Sequence, residues 1–327
     1  MHFVFFFSPR GDLNVTYANE VTASSVPFFH YDDGGWNLLI TDDTSAKVAI
    51  CSSKKVLSVY QDATLFLPMD VLRRIGDNSS QTFDVSSFRL LGTVTNQARL
   101  VRTKTHSGLW VNATAFEFLE FHQLPSGPVG GMCLVYPTIC ELNGMAVSFW
   151  IRVLPSNPQE SCFIASGFDW LNISSMGKPV NTTGVLVDRS KEGFMNFYVG
   201  DGTRIWFTSV QLDGATAVLI NKDLLVSISW NPQEEIVLQV DVYWLGSNGS
   251  QVHLIAAAAV DSASMFPAPR LTKGVGLALG CEGYPTSMII DDFAVWHRTL
   301  SESERQMMFY GTDSFEGWYC CISAHMG

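Results

Sequence analysis

The stretch that decides the reading is Met288-Ile289-Ile290-Asp291-Asp292-Phe293-Ala294-Val295-Trp296-His297-Arg298-Thr299-Leu300-Ser301-Glu302-Ser303-Glu304. Its first nine residues are apolar or aromatic apart from one acidic pair, which is strand composition. Polar residues then interrupt the run. Ser301, with Glu304 three residues on, spells a capping box at the start of a short helix. That helix should end near Gly311, where a glycine supplies the left-handed turn.

Working outward, short runs rich in Val, Ile, Phe, Trp and Tyr recur at 46–50, 116–121, 145–153, 184–187, 194–199, 204–207, 224–230, 237–244 and 275–279. Gly, Pro, Asn, Asp and Ser separate them, so the spacing predicts an all-β sandwich or barrel. Alternating βα units are missing. In 145–153, Val147, Phe149, Ile151 and Val153 share one strand face and should line the core; Ser148, Trp150 and Arg152 share the other. A brief helical signal covers 70–75. The polar stretch 76–81 marks a boundary. The reading is therefore a small β-rich segment at 1–84, a sandwich at 85–312 and a tail at 313–327.

Composition fits a packed globular chain: 47% apolar and only 16% charged residues. The net charge is −11 and no basic run occurs, so a nucleic-acid footprint is absent. No stretch has the roughly 18 continuous apolar residues of a membrane span. The start, Met1 to Pro9, is too short for a signal h-region. Six sequons point to a secretory route all the same: Asn14, Asn78, Asn112, Asn172, Asn181 and Asn248 each head an Asn-x-Ser/Thr triplet. Both observations fit a piece of a longer extracellular or membrane-anchored glycoprotein. The seven cysteines, Cys51, Cys133, Cys140, Cys162, Cys281, Cys320 and Cys321, contain no CxxC pair and read as disulfide candidates.

The 288–304 stretch resembles the closing strand, turn and helix of laminin-G/pentraxin-like (concanavalin A-like) jelly-roll domains. Gly108 to Val111 and 116–121 resemble the opening strands of that family. The runs 145–153, 162–166, 224–230, 237–244 and 275–280 follow in its order. The resemblance covers 85–312 and implies two stacked antiparallel sheets, with 288–296 central to one and a short C-terminal helix after it. Where the family often turns at Asp-Gly after 240–242, this chain runs on to Trp244 and turns at 246–249. The family often carries calcium at the sheet rim, so Asp188, Asp201, Asp213 and Glu282 are candidate ligands. It also often staples its late loops, which implies Cys162 with Cys281. Such a bridge closes a long loop, a stabilisation of about 4–5 kcal/mol. The local pair Cys133 with Cys140 competes, and either of these with Cys162 stays open.

Catalytic patterns are missing. Asp291 and Asp292 are consecutive on a strand, so they should face opposite sides and cannot form the carboxylate pair of a glycosidase. The strand 237–244 offers one acid, Asp241, where a glucanase alternates several. Hydrolase-elbow, phosphate-loop and dinucleotide signatures are absent. The seven histidines have no His-x-x-x-His partner. Arg10-Gly11-Asp12 matches an integrin-type tripeptide, a pattern too short to assign. The expectation is an extracellular ligand-binding or adhesion module, with a glycan or a protein as ligand and no enzymatic activity. The alternative is a non-catalytic carbohydrate-binding module attached to a glycoside hydrolase, or a degenerate relative of one.

Overall fold

The computed structural model describes residues 2–7, 13–18, 26–32, 35–41, 50–52, 58–69, 72–74, 79–86, 91–95, 99–103, 107–111, 119–120, 132–155, 160–166, 183–214, 218–259, 264–265, 277–280, 286–310 and 319–321. They fall in two compact units, Leu57–Asp313 and Met1–Val56 with Ser314–Gly327. In the smaller unit, His2–Phe7 pairs with Leu13–Ala18, and Val26–Asp32 with Gly35–Thr41. Ile50–Ser52 pairs with Tyr319–Cys321, which makes Cys51 and Cys320 register partners.

The larger unit is a sandwich of two antiparallel sheets. Its front sheet runs Arg99–Arg102, Ser107–Val111, Met288–Trp296, Met145–Val153, Leu224–Trp230, Ile236–Leu245, Gln251–Ala259. The back sheet runs Ser264–Met265, Arg204–Gln211, Phe194–Asp201, Thr183–Arg189, Ser161–Ser166, Ala278–Leu279. A smaller sheet joins Leu119–Glu120, Leu91–Thr95, Ser79–Phe83 and Arg73–Arg74. Arg73–Arg74 is thus a strand inside the stretch where the sequence signalled a helix; pairing with Gln81 and Ser80 overrides a weak local preference.

The closing strand Met288–Trp296 lies inside the front sheet, with Met145–Val153 along one side. Ser107–Val111 and Leu65–Leu67 share the other side. The second of these shifts the sequence boundary. The compact unit begins at Leu57 and not at 85, because Leu65–Leu67 hydrogen-bonds to Phe293, Ala294 and Val295. Tyr60 stacks on Phe66 at 4.2 Å and on Trp296 at 5.8 Å, and the Trp296 indole donates to the Val59 carbonyl at 2.9 Å. Residues 58–67 therefore cover an outer flank of the closing strand, and all nine of its residues are buried.

Between the sheets sits the core. Val147, Phe149, Ile151 and Val153 are all in it, as their alternation predicts. Val226, Ile228, Val240 and Val242 join them from neighbouring strands. Val185, Val187, Phe197, Val199 and Trp206 close it from the back sheet.

One expectation on the closing strand fails. The register slips between Ser148 and Trp150, and Asp292 has a positive φ of 49°. This bulge breaks strict alternation, so Asp291 and Asp292 do not simply face opposite sides. Both carboxylates are buried. Asp291 Oδ1 accepts from the Asp292 N–H at 2.9 Å, and Asp291 Oδ2 from Thr103 Oγ1 at 3.0 Å. The neighbouring Tyr60 phenol is held well above its ordinary range, first by burial and then by the negative charges of Asp292 and Asp291.

Candidate functional site

The front sheet has a second face, and its composition differs. Ser148 lies opposite Ala294 on one side and Ser227 on the other; Ser227 lies opposite Asp241. The adjacent row holds Ala146 and Ser229. These small residues form a shallow floor. The helix Glu302–Tyr310 lies on it: Phe309 stacks on Trp150 at 5.7 Å and meets Tyr243 at 5.8 Å, and Met308 is fully buried. Small side chains at these positions let the helix approach the sheet closely, while the next row, Trp150, Leu225 and Tyr243, meets it with large ones.

The helix starts as its capping box predicts. Ser301 Oγ accepts from the Glu304 N–H at 3.3 Å, and Glu304 Oε2 accepts from the Ser301 N–H at 2.8 Å. Arg298 donates to both Glu304 oxygens, at 2.7 and 3.1 Å, and that ion pair with the Ser301 contacts lowers the Glu304 carboxyl to about 2.

Beneath the helix is Asp241, with no exposed side-chain surface. His253 Nε2 lies 2.8 Å from its Oδ1. Gln239 Nε2 donates to Oδ2 at 2.9 Å, and Arg305 Nε lies 3.2 Å from the same oxygen. The Arg305 guanidinium also donates to the Leu300 carbonyl. His253 stacks flat on Tyr243, ring centroids 4.0 Å apart, and burial raises the Tyr243 phenol. A buried carboxylate persists only when paired and hydrogen-bonded; here Gln239 and His253 on two strands supply the hydrogen bonds and Arg305 on the helix supplies the ion pair. Asp241 is thus a clamp between helix and sheet. The Ser227 and Ser229 hydroxyls are buried beside it without a hydrogen-bond partner.

The other acid of this face is Asp291, register partner of Trp150. Two strands lie between it and Asp241, so the two stand at least three strand spacings, about 14 Å, apart. Glycosidase carboxyls stand about 5–5.5 or 6.5–9.5 Å apart, so these two do not form such a pair.

Where the helix begins, the floor is left open. A recess of about 250 Å³ is lined by Ser229, Asn231, Glu234, Ile236, Gln239, Thr299, Leu300 and Arg305. Its walls are mostly amide, hydroxyl and charged groups, with Ile236 and Leu300 as apolar patches. Asn231 Nδ2 donates to Glu234 Oε1 at 2.8 Å, which orients both side chains. A second hollow, beside the Arg152–Asp223 pair, holds about 10 Å³, no more than one water.

The residues singled out in the sequence are scattered. Asn248 is exposed on the turn between Ile236–Leu245 and Gln251–Ala259, and its Oδ1 accepts from Ser250 N–H at 3.0 Å. Asn14 is on the strand Leu13–Ala18. Asn78, Asn112, Asn172, Asn181, Cys281, Glu282 and Arg10-Gly11-Asp12 lie outside the described residues.

The described calcium candidates, Asp188, Asp201 and Asp213, do not converge. Asp188 and Asp201 sit near opposite ends of one hairpin, with Asp188 opposite Asn196 and Asp201 opposite Thr183. The Asp201 carboxylate is already held by the Thr203 and Arg204 backbone N–H groups and the Arg204 side chain, at 2.7–3.0 Å. Burial raises Asp188 to about 6, against the lowering effect of its bond from Asn196. Asp213 is exposed on a turn beyond Arg204–Gln211.

Cys133 and Cys140 form a disulfide, Cα atoms 5.8 Å apart. His297 brings a ring nitrogen within 4.8 Å of both sulfurs, but the bridge removes the thiolates that a metal would need. Cys162 is also disulfide-bonded.

Asp241, His253, Arg305, Gln239 and Ser229 were not predicted as a group. The available signal was the run of small residues at alternate positions of neighbouring strands, Ala146/Ser148 and Ser227/Ser229. It marks a covered face but does not name the cover.

No family profile matches the chain, and no curated protein matches it in sequence. Solved structures share its fold. The botulinum neurotoxin serotype D binding domain superposes with a TM-score of 0.50 at 12% identity, over 78% of this chain and 52% of that one. The receptor-binding domain of the serotype C/D mosaic gives 0.49 at 12%, over 76% and 51%. The serotype D ligand-binding domain in complex with N-acetylneuraminic acid gives 0.49 at 13%, over 78% and 52%. The chain spans about half the length of these neighbours. At such identity the likeness establishes a β-sandwich and nothing finer. Among the described residues, no helix is long and apolar enough to cross a membrane.

Proposed function

We propose that this chain is an extracellular ligand-binding or adhesion module of laminin-G/pentraxin-like type, carried by a larger secreted or membrane-anchored protein. The sandwich, the order of its strands and the six sequons support that reading. The observation that carries it is the polar recess beside the helix. Its amide, hydroxyl and carboxylate groups suit a hydroxyl-rich ligand, so a glycan fits better than an apolar small molecule. The two acids of the front sheet's outer face, Asp241 and Asp291, stand too far apart for a glycosidase pair, which supports binding without chemistry.

The alternative is a carbohydrate-binding module attached to a glycoside hydrolase; it uses the same recess and differs only in the neighbouring domain. The test is binding of the secreted chain to a panel of immobilised glycans. Wild type should bind at least one of them, and Glu234→Ala or Gln239→Ala should weaken that binding about tenfold, roughly one lost hydrogen bond to a charged group or amide. Undiminished binding by both variants would move the site elsewhere. No glycan bound by any form would leave a protein as the ligand.

A further inference from the structure

Among the described residues, every sheet end of the larger unit but one is short or charged. Arg99–Arg102 ends the front sheet on one side with two exposed arginines. The back and smaller sheets end in strands of two residues each. Charge and shortness are the usual ways to keep an edge from pairing with another chain.

Gln251–Ala259 has neither device. It ends the front sheet, runs for nine residues and, up to Ala258, pairs among the described residues with Ile236–Leu245. It contains no Lys, Arg, Asp, Glu or Pro. Its one titratable side chain, His253, is turned back onto Asp241. Leu254 is 38% and Ile255 58% exposed, and the adjoining strand adds Ile236 at 47% and Leu245 at 41%.

We propose that this edge pairs with the same edge of a second copy, antiparallel about a two-fold axis. Self-pairing is favoured over a charged partner because the strand offers no charge to match. Side-chain sizes complement under that symmetry. Centred on Ile255, the pairing sets Val252 against Ala258, His253 against Ala257 and Leu254 against Ala256, a large residue against a small one each time. Two front sheets then become one continuous sheet. The turn bearing Asn248 lies beyond the paired stretch, so a glycan there does not block it.

Sedimentation velocity of the full secreted chain across the micromolar range tests this. The expected result is a species of twice the single-chain mass measured in denaturant, dissociating on dilution. Ile255→Lys and Leu254→Lys should each give monomer at every concentration with an unchanged far-UV spectrum. Leu142→Lys, which changes an 86% exposed apolar residue on another turn, should stay dimeric. A wild type that is monomeric throughout, or a dimer that survives Ile255→Lys, overturns the proposal. So does a dimer lost equally in Leu142→Lys.

Discussion

The two faces of the front sheet obey different rules. On the core face, large branched and aromatic side chains such as Phe149, Ile151, Val226 and Val242 interlock with the back sheet. On the outer face, Ala146, Ser148, Ser227 and Ser229 stay small so that a helix can lie on them, and a buried acid, Asp241, pins the helix down. Both sets of residues are buried, yet only one looks like a core in the sequence. What covers a strand decides side-chain size; burial alone does not.

The strongest way to break this contrast is to remove the clamp. Asp241→Ala leaves Arg305 and His253 without their partner under the helix and should cost about 3–5 kcal/mol. Phe149→Ala on the core face should cost as much, about 3–5 kcal/mol, through cavity formation. Denaturant unfolding separates the two mechanisms. Adding Arg305→Met to Asp241→Ala should restore more than half of the loss, whereas it should not rescue Phe149→Ala.

Next in size is the floor itself. Ser227→Leu should lift the helix and destabilise by about 1–3 kcal/mol, as overpacking does. Ser227→Ala should be neutral or mildly stabilising, because its buried hydroxyl has no partner to lose. A costly Ser227→Ala would mean that the floor is held by hydrogen bonds and not by size. Ser301→Ala, which removes the helix cap, should cost about 1 kcal/mol.

How much of this was legible follows the same division. The core face could be read directly, because Val147 to Val153 alternate large and polar residues with period two. The helix was legible through Ser301 and Glu304, whose spacing has one physical meaning. The turn at 246–249 was also readable: Gly249 takes a φ of 77° there. Leu65–Leu67 was not placed, because a three-residue strand carries no periodicity, and its partner is more than two hundred residues away in the chain. The bulge at Asp292 was missed because alternation assumes an unbroken strand. Asp241, His253 and Arg305 are ordinary residues on three separate elements, and only the fold brings them together.

Two carboxylates sharpen the contrast through pH, with opposite signs. Asp188 has a folded value of about 6 against an ordinary 3.8, so its contribution to stability is greatest at low pH and falls as pH rises between them. Asp188→Asn should therefore melt higher than wild type at neutral pH, and the gap should close below about pH 4. Glu304 is lowered from 4.5 to about 2, so its pairing with Arg298 helps above that range and is lost as pH falls through it. Glu304→Gln should remove that acid-side loss. Melting curves from pH 2 to 7 read both.

The smallest effect is covalent and local. Ile164 pairs with Leu279, and the Gly280 N–H donates to the Phe163 carbonyl at 2.8 Å. Extending that register one step predicts Cys281 as the partner of Cys162. Non-reducing peptide mapping should recover Cys133–Cys140 and Cys162–Cys281 peptides. Cys162 linked to Cys51, Cys320 or Cys321 would show that the strand register ends at Gly280.

We propose that the recess holds a ligand without altering it. The direct measurement is to load the immobilised chain with a mixed pool of glycans, wash it, and weigh by mass spectrometry what is retained and what is released over a day. We expect one class of glycan retained intact by wild type and lost from Glu234→Ala and Gln239→Ala. Shortened glycans in the eluate, abolished by changing Asp241 or Asp291, would contradict the account and make this sandwich an enzyme.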